Sequence, residues 1–343
     1  LEERGRTQGY IAGVWGISSI IGPLSGALIV QHLHWSWIFW INVPFGLLCI
    51  ALVIRFLHED IMRKAQSIDY PGAGLLFIGL SALMLALTHG GDWGALELAG
   101  LIAMALAAGS LFLRQERRAP DPLVHLELWS IRLIALANAA TLTCGVTMIG
   151  LISFLPTFVQ GVLGGSALVA GFALCAMSIG WPIASVTAGH LLVHLGPRKL
   201  GRFGGVVLLA GTLAVALSAA AGPLAAGLGS LIVGVGLGVL NTTFIVTIQS
   251  SVPWAQRGVA TASNMLMRIL GSALGAAIFG GVLNLTLQRY LVQHGLSGTL
   301  SMESVQSLLG GAPLAAGQAA SLSGALQAGL SASRQVVFWG VVL

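Results

Sequence analysis

The chain has 343 residues, of which 16 are Lys or Arg and 11 are Asp or Glu, so only 8% carry charge, where a soluble domain carries about 25%. Hydrophobic residues make up 56% before the 47 glycines are counted, which excludes a solvated globular enzyme and a disordered tail. The net charge of +5 does not point to nucleic acid, because the cations are strewn between long apolar runs instead of clustering on one face.

Apolar runs long enough to cross a hydrocarbon core about 30 Å thick fall at residues 9–30, 36–57, 71–89, 96–113, 133–160, 166–193, 203–221, 224–250 and 260–285. Each is expected to be a helix. In lipid every backbone NH and C=O must be satisfied inside the segment or in a closed barrel, and the period-two alternation of barrel strands is missing. The fold class is therefore all-α, a polytopic membrane protein with nine complete spans and part of a tenth.

Charge fixes the expected orientation. With the charged start on the cytoplasmic side, the inner segments hold thirteen Lys and Arg residues and the outer ones only Arg289 and Arg334, a strong positive-inside bias. The chain opens without an initiator Met and stops nine residues into a new apolar run, Gln335–Leu343, so it is expected to be a fragment. Residues 286–333, rich in Ser, Ala, Gly and Gln, read as one long outer loop.

The first span carries Gly9, Ser18, Gly22, Pro23, Gly26 and Ala27. Proline removes a backbone donor and bends a helix, and small residues four apart let a neighbour approach closely. Arg4-Gly5 followed by Gly22 is echoed by Arg257-Gly258 followed by Gly275 at the same spacing, and both spans run from inside to outside. A parallel repeat of this sort suits a two-bundle transporter with its axis along the membrane normal.

With Trp35-Ser36-Trp37-Ile38-Phe39-Trp40-Ile41-Asn42-Val43-Pro44-Phe45-Gly46, Pro120-Asp121-Pro122-Leu123 and Val252-Pro253, these residues make the chain resemble the major facilitator superfamily, in its fourteen-helix drug:proton antiporter branch. The resemblance implies that Gly9, Ser18, Gly22, Pro23, Gly26 and Ala27 form that branch's antiporter motif, with Ser18 and Ala27 standing where it has glycines. It further implies that residues 1–57 are the last two helices of an N-terminal bundle, that 58–130 hold an inserted helix pair and its linkers, and that 131–343 are a C-terminal bundle cut off in its last helix. The family's cytoplasmic gating motif has Asp where Val193 stands in this chain, followed by His194, so that copy has lost its carboxylate.

No Asp or Glu lies in the middle of a span; Asp69 is at an inner end and Asp92 and Glu97 are at an outer one. Intramembrane carboxylates are the usual proton carriers, so none is expected within these spans. Arg268 is the only cation well inside one. It shares a helix face with Asn264, Gly271 and Gly275, and such a small-residue face packs on protein. Arg268 and Asn264 are therefore candidates for gating or coupling. Asn138, Gln160, Asn241 and Gln249 read either as cavity lining or as interhelical hydrogen bonds. Phe154, Phe158 and Trp181 read either as faces for flat cationic compounds or as ordinary packing.

His190 and His194 lack a third ligand for a metal, and Gly234, Gly236 and Gly238 lack the spacing of a dinucleotide fingerprint. No metal, cofactor or catalytic residue is expected, and the protein reads as a non-enzyme. Cys49, Cys144 and Cys175 read as small hydrophobes.

The resemblance implies proton-coupled export of amphipathic, often cationic compounds across the bacterial cytoplasmic membrane. Export of one dedicated metabolite, siderophore or antibiotic by the same fold stays open, as does a membrane-embedded sensor. Its expected partners are small-molecule substrates, protons and the bilayer, with nucleic acid excluded. A periplasmic adaptor and an outer-membrane channel are left open.

Overall fold

The computed structural model describes residues 36–56, 69–89, 94–161, 167–218 and 221–293, with isolated positions between 10 and 34. Most of the first span, with Gly9, Pro23, Gly26 and Ala27, lies outside the described residues, as does the stretch from 294 onward. Among the described residues there is helix and no strand, as an all-hydrocarbon surrounding requires.

The short α1 (Trp37–Trp40) leads directly into α2 (Asn42–Phe56). Then come α3 (Tyr70–His89) and α4 (Ala95–Glu116). A five-residue α5 (Leu126–Ser130) precedes α6 (Arg132–Gly161). The long α7 (Ala167–Leu217), α8 (Pro223–Ser250) and α9 (Arg257–Gln293) complete the order. Eight of the nine expected spans are present, because α7 is two helices joined at a kink.

That kink is tighter than the apolar pattern suggests. The sequence leaves a gap between residues 193 and 203, yet helix runs up to and on from a single break at Gly196, with φ 75° and ψ 161°. Left-handed φ costs an L-residue about 1–2 kcal/mol, and Pro197 then opens the second limb where its missing NH loses nothing. The same pairing recurs at Gly222 (φ 86°) before Pro223 of α8. At the other end of the chain, α9 runs to Gln293, eight residues into the stretch read as outer loop, where Leu, Tyr and Val continue the helical pattern.

Helix α8 is the axis of the bundle: 72% of its apolar window is buried, against 33% or less for every other span. Its glycines explain why. A Cβ on Gly234 would strike the Met177 backbone in the first limb of α7, one on Gly236 the Leu208 backbone in the second limb, and one on Gly229 would meet Val215. Both limbs of α7 thus lie against α8 at backbone distance, the association mode available where lipid offers no hydrophobic driving force. Leu151, Leu155 and Val159 of α6 close the core with Met177, Val215, Val233 and Leu237.

The pair α3 and α4 pack on each other and reach the bundle through α9, where a Cβ on Gly281 would collide with the Leu87 carbonyl. The ends of the pair are tied by polar contacts. Asp69 Oδ1 accepts from Gly72 N (3.0 Å) and Gln115 Nε2 (2.9 Å), and Glu116 Oε2 accepts from Val124 N (2.9 Å) in the linker after α4. No residue of α2 is buried.

Candidate functional site

A polar seam runs between α6 and α9. Asn264 Nδ2 donates to Asn138 Oδ1 at 3.0 Å and to Thr141 Oγ1 at 2.8 Å, and Asn138 Nδ2 donates to Ser263 Oγ at 3.4 Å. Asn138 and Asn264 are 0% and 2% exposed. Two fully enclosed amides inside an apolar bundle are tolerable only because each finds a partner across the interface.

The seam is narrow because small residues let the helices close. A Cβ on Gly271 would strike the Leu142 carbonyl, one on Gly275 would meet Val146, and one on Gly145 would strike the Arg268 carbonyl. Ser272 Oγ also donates to Gly145 O at 3.2 Å. The face shared by Asn264, Arg268, Gly271 and Gly275 therefore packs on α6, as its small residues predict.

Arg268 stands at the end of this seam, half-buried. Its Nη1 donates to Asn241 Oδ1 of α8 at 3.1 Å. It is eleven residues past Arg257, the first residue of α9, which is roughly 16 Å of helical rise and half the depth of a hydrocarbon core about 30 Å thick. The sequence pattern places the start of this helix at residue 260, and the observed helix begins three residues earlier, at Arg257.

Arg268 and Asn241 line a small pocket with Thr141, Cys144, Trp181 and Phe244, closed by Met148 and Leu237. The pocket encloses about 10 Å³, room for one water-sized group. Four helical segments meet there: α6, the first limb of α7, α8 and α9. Among the described residues no Asp or Glu lines it, and the whole sequence between Glu127 and Glu303 contains none.

The other singled-out residues are spread more widely. Gln249 Nε2 donates to Thr261 Oγ1 at 3.2 Å, between α8 and α9 near the Arg257 end. Phe154 meets Phe279 edge-on, with ring centroids 6.0 Å apart, and Phe158 is 4% exposed in the main core. Trp181 and Asn241 are on the pocket wall. Gln160 lies in α6, its side chain outside the described residues, and Val193 and His194 are exposed on the first limb of α7. Of the Gly22-Pro23 motif, Gly22 and Ser18 are helical and exposed, with nothing within 4 Å of a Cβ on Gly22.

Sequence reasoning passes over Thr141, Cys144 and Phe244. Thr141 sits three residues after Asn138 and Phe244 three after Asn241, so helical spacing from the two amides marks both. Cys144 carries no such signal, since a cysteine in an apolar run reads as a small hydrophobe.

Residues 1–276 match the Major Facilitator Superfamily. The chain belongs to this superfamily. Membership in this superfamily implies a transporter, and the chain has the long apolar helices of a multi-pass membrane protein. It is 33% identical to Multidrug resistance protein 3 of Bacillus subtilis (strain 168) over 285 residues, covering 82% of this chain and 56% of that protein. It is 30% identical to Multidrug transporter protein MdtP of the same organism over 287 residues, covering 82% and 53%. Multidrug resistance protein Stp of Mycobacterium tuberculosis is 27% identical over 295 residues, covering 85% and 55%. The chain spans about half the length of the curated relatives it matches.

Proposed function

We propose that this facilitator serves proton-coupled export of amphipathic compounds across a bacterial cytoplasmic membrane, as part of a multidrug efflux transporter. The observation that carries the reading is the seam from Asn138 through Asn264 to the Arg268–Asn241 pair. It puts a charge at mid-depth where four helical segments converge, and an intramembrane charge costs enough that it marks a pathway or relay by default. The names of the relatives supply the substrate class.

In this reading residues 1–57 belong to an N-terminal bundle, 58–130 to the inserted pair and its linkers, and 131–343 to a C-terminal bundle, with the start of the chain cytoplasmic. The two bundles rock about the midplane. The close glycine contacts of α8 and α9 make the C-terminal bundle a rigid body. Gly9, Ser18, Gly22, Pro23, Gly26 and Ala27 seal the bundle interface against proton leak, and Arg268 with Asn264 acts in coupling. The proton-carrying carboxylate lies outside the acid-free stretch. A second reading, export of one dedicated metabolite, draws support from the same lack of carboxylates on the pocket, which leaves no counter-charge for a cationic drug among the described residues.

The test is reconstitution of the full-length protein in proteoliposomes with an imposed pH gradient, following dye movement and proton release together. Dye efflux that collapses with an uncoupler, with matched proton flux, is expected. Efflux indifferent to the gradient would overturn proton coupling.

A further inference from the structure

The helices α3 and α4 hold each other closely, since a Cβ on Gly79 would lie 3.3 Å from the Ala108 Cβ. As a unit they are attached to the helices that follow at two places. At the Leu87 end, Gly281 of α9 meets α3 at backbone distance. A Cβ there would lie 3.1 Å from the Leu87 carbonyl carbon and closer to its oxygen, inside the about 3.5–4.0 Å that carbon atoms prefer. At the Asp69 end, Gln115 Nε2 donates to Asp69 Oδ1 across the pair, and Val124 N of the linker donates to Glu116 Oε2, both at 2.9 Å. Four residues further on, Leu128 of α5 is buried in one apolar cluster with Ile134 of α6, Ile248 of α8 and Ala260 of α9. The linker thus carries the end of α4 onto the other helices. With 20 residues, α3 is about 30 Å long. A single contact would let such a rod pivot, and contacts near opposite ends fix its tilt.

We propose that the α3–α4 pair is a fixed part of the C-terminal bundle, clamped to it at both ends, and that it turns with this bundle when the two bundles rock. The turning rests on the export reading; the clamp does not. Helix α9 carries both the seam to α6 and the Gly281 contact to α3, so a rotation of α9 is handed to the pair without slack. A backbone-on-backbone contact has no rotamer through which to absorb a displacement, and packed interfaces move as bodies instead of deforming continuously. The pair is then a moving wall beside the bundle instead of a passive insert between the two halves.

The test is electron–electron spin-label distance measurement on the full-length protein in nanodiscs, at acidic and at alkaline pH. Labels go on cysteines introduced in pairs at Leu106 of α4, Leu224 of α8 and Ile54 of α2, all exposed positions, in a cysteine-free background. The Leu106–Leu224 distance should be single, narrow and the same at both pH values, while Leu106–Ile54 and Ile54–Leu224 shift together. Interaxial spacing varies over about 8–10 Å with the side chains at a contact. Gly281→Leu should therefore lengthen Leu106–Leu224 by about 2 Å and broaden it, and adding Glu116→Ala should broaden it further by freeing the second anchor. Gly280→Leu, beside it but with nothing within 4 Å of a Cβ, should leave the distance alone. A broad Leu106–Leu224 distribution in the unaltered background would overturn the clamp, as would a distance that ignores Gly281→Leu. A constant Leu106–Ile54 with a shifting Leu106–Leu224 would assign the pair to the other bundle. If Ile54–Leu224 never shifts, the rocking reading fails, and a narrow Leu106–Leu224 distance that yields to Gly281→Leu still establishes the clamp.

Discussion

The α6–α9 contact can be tested by adding a single methyl group. A Cβ on Gly271 would lie 2.8 Å from the Leu142 carbonyl carbon and 3.0 Å from its Cα, and closer still to the carbonyl oxygen. Carbon atoms prefer about 3.5–4.0 Å, and backbone cannot swing aside, so Gly271→Ala must lift α9 off α6 by roughly 1 Å. Overpacking of this kind costs about 1–3 kcal/mol. At about 2–4 °C per kcal/mol for a large domain, the midpoint for thermal unfolding in detergent should fall by several degrees. Gly145→Ala presses on the Arg268 carbonyl from the other side of the same contact and should do the same. Gly280→Ala, on the same helix with nothing within 4 Å of its Cβ, should be neutral or slightly stabilising, since alanine favours helix by up to about 1 kcal/mol over glycine. The assay is fluorescence-detected size-exclusion chromatography after a temperature series on the full-length protein. A wild-type midpoint for Gly271→Ala, or an equal loss in Gly280→Ala, would refute the close-packed seam.

Arg268→Gln and Arg268→Leu should sharply reduce proton-coupled efflux in proteoliposomes at matched protein density, while Arg268→Lys keeps part because the charge survives without the planar fork. Pro23→Leu should leave expression and dye binding intact but abolish concentrative efflux or leak protons, measured as acidification of dye-free vesicles. Cys144, on the wall of a space that admits only a water-sized group, should resist a maleimide in a background of Cys49→Ser and Cys175→Ser, since alkylation needs an accessible thiolate; rapid labelling in the absence of substrate would refute the closed pocket.

Much of the architecture is legible in the residues. Apolar run lengths give the helices, and the spacing of Asn264, Arg268, Gly271 and Gly275 points one face of α9 inward, which is where the contacts with Leu142 and Val146 lie. What a run length does not carry is the residue at which a helix begins. The η-turn at Trp254–Gln256 lets α9 start at Arg257, and the ring of Trp254 covers the Arg257 guanidinium at 5.2 Å, so residues 257–259, which read as loop, belong to the helix. Nor does periodicity foretell the Gly196 break, since one left-handed residue leaves the flanking patterns untouched. The pocket is harder still to read. Asn241 and Trp181 lie 60 residues apart in sequence and meet because Gly238 lets the α7 backbone at Trp181 approach α8. In a chain with 47 glycines that one does not announce itself.

Arg268 and Asn241 are joined across α8 and α9, and the energy of that pairing can be measured apart from transport. An arginine at the centre of a membrane helix costs about 2.5–3.5 kcal/mol even on lenient insertion scales. A hydrogen bond to a charged group returns about 1.5–3 kcal/mol, so the amide of Asn241 offsets most of the cost of the charge it faces. Asn241→Leu should then destabilise the protein by an amount in that range, because it strands the guanidinium beside apolar walls. Arg268→Leu alone should be milder, since it removes the costly charge and leaves an amide next to Thr141 and Cys144, where a water can serve it. The double substitution should recover much of the loss seen in Asn241→Leu, because the group left stranded is gone. The coupling energy from the four midpoints is the quantity to measure. Additive losses, with the double variant the least stable of the four, would mean that the two side chains contribute separately and that their 3.1 Å contact holds nothing together.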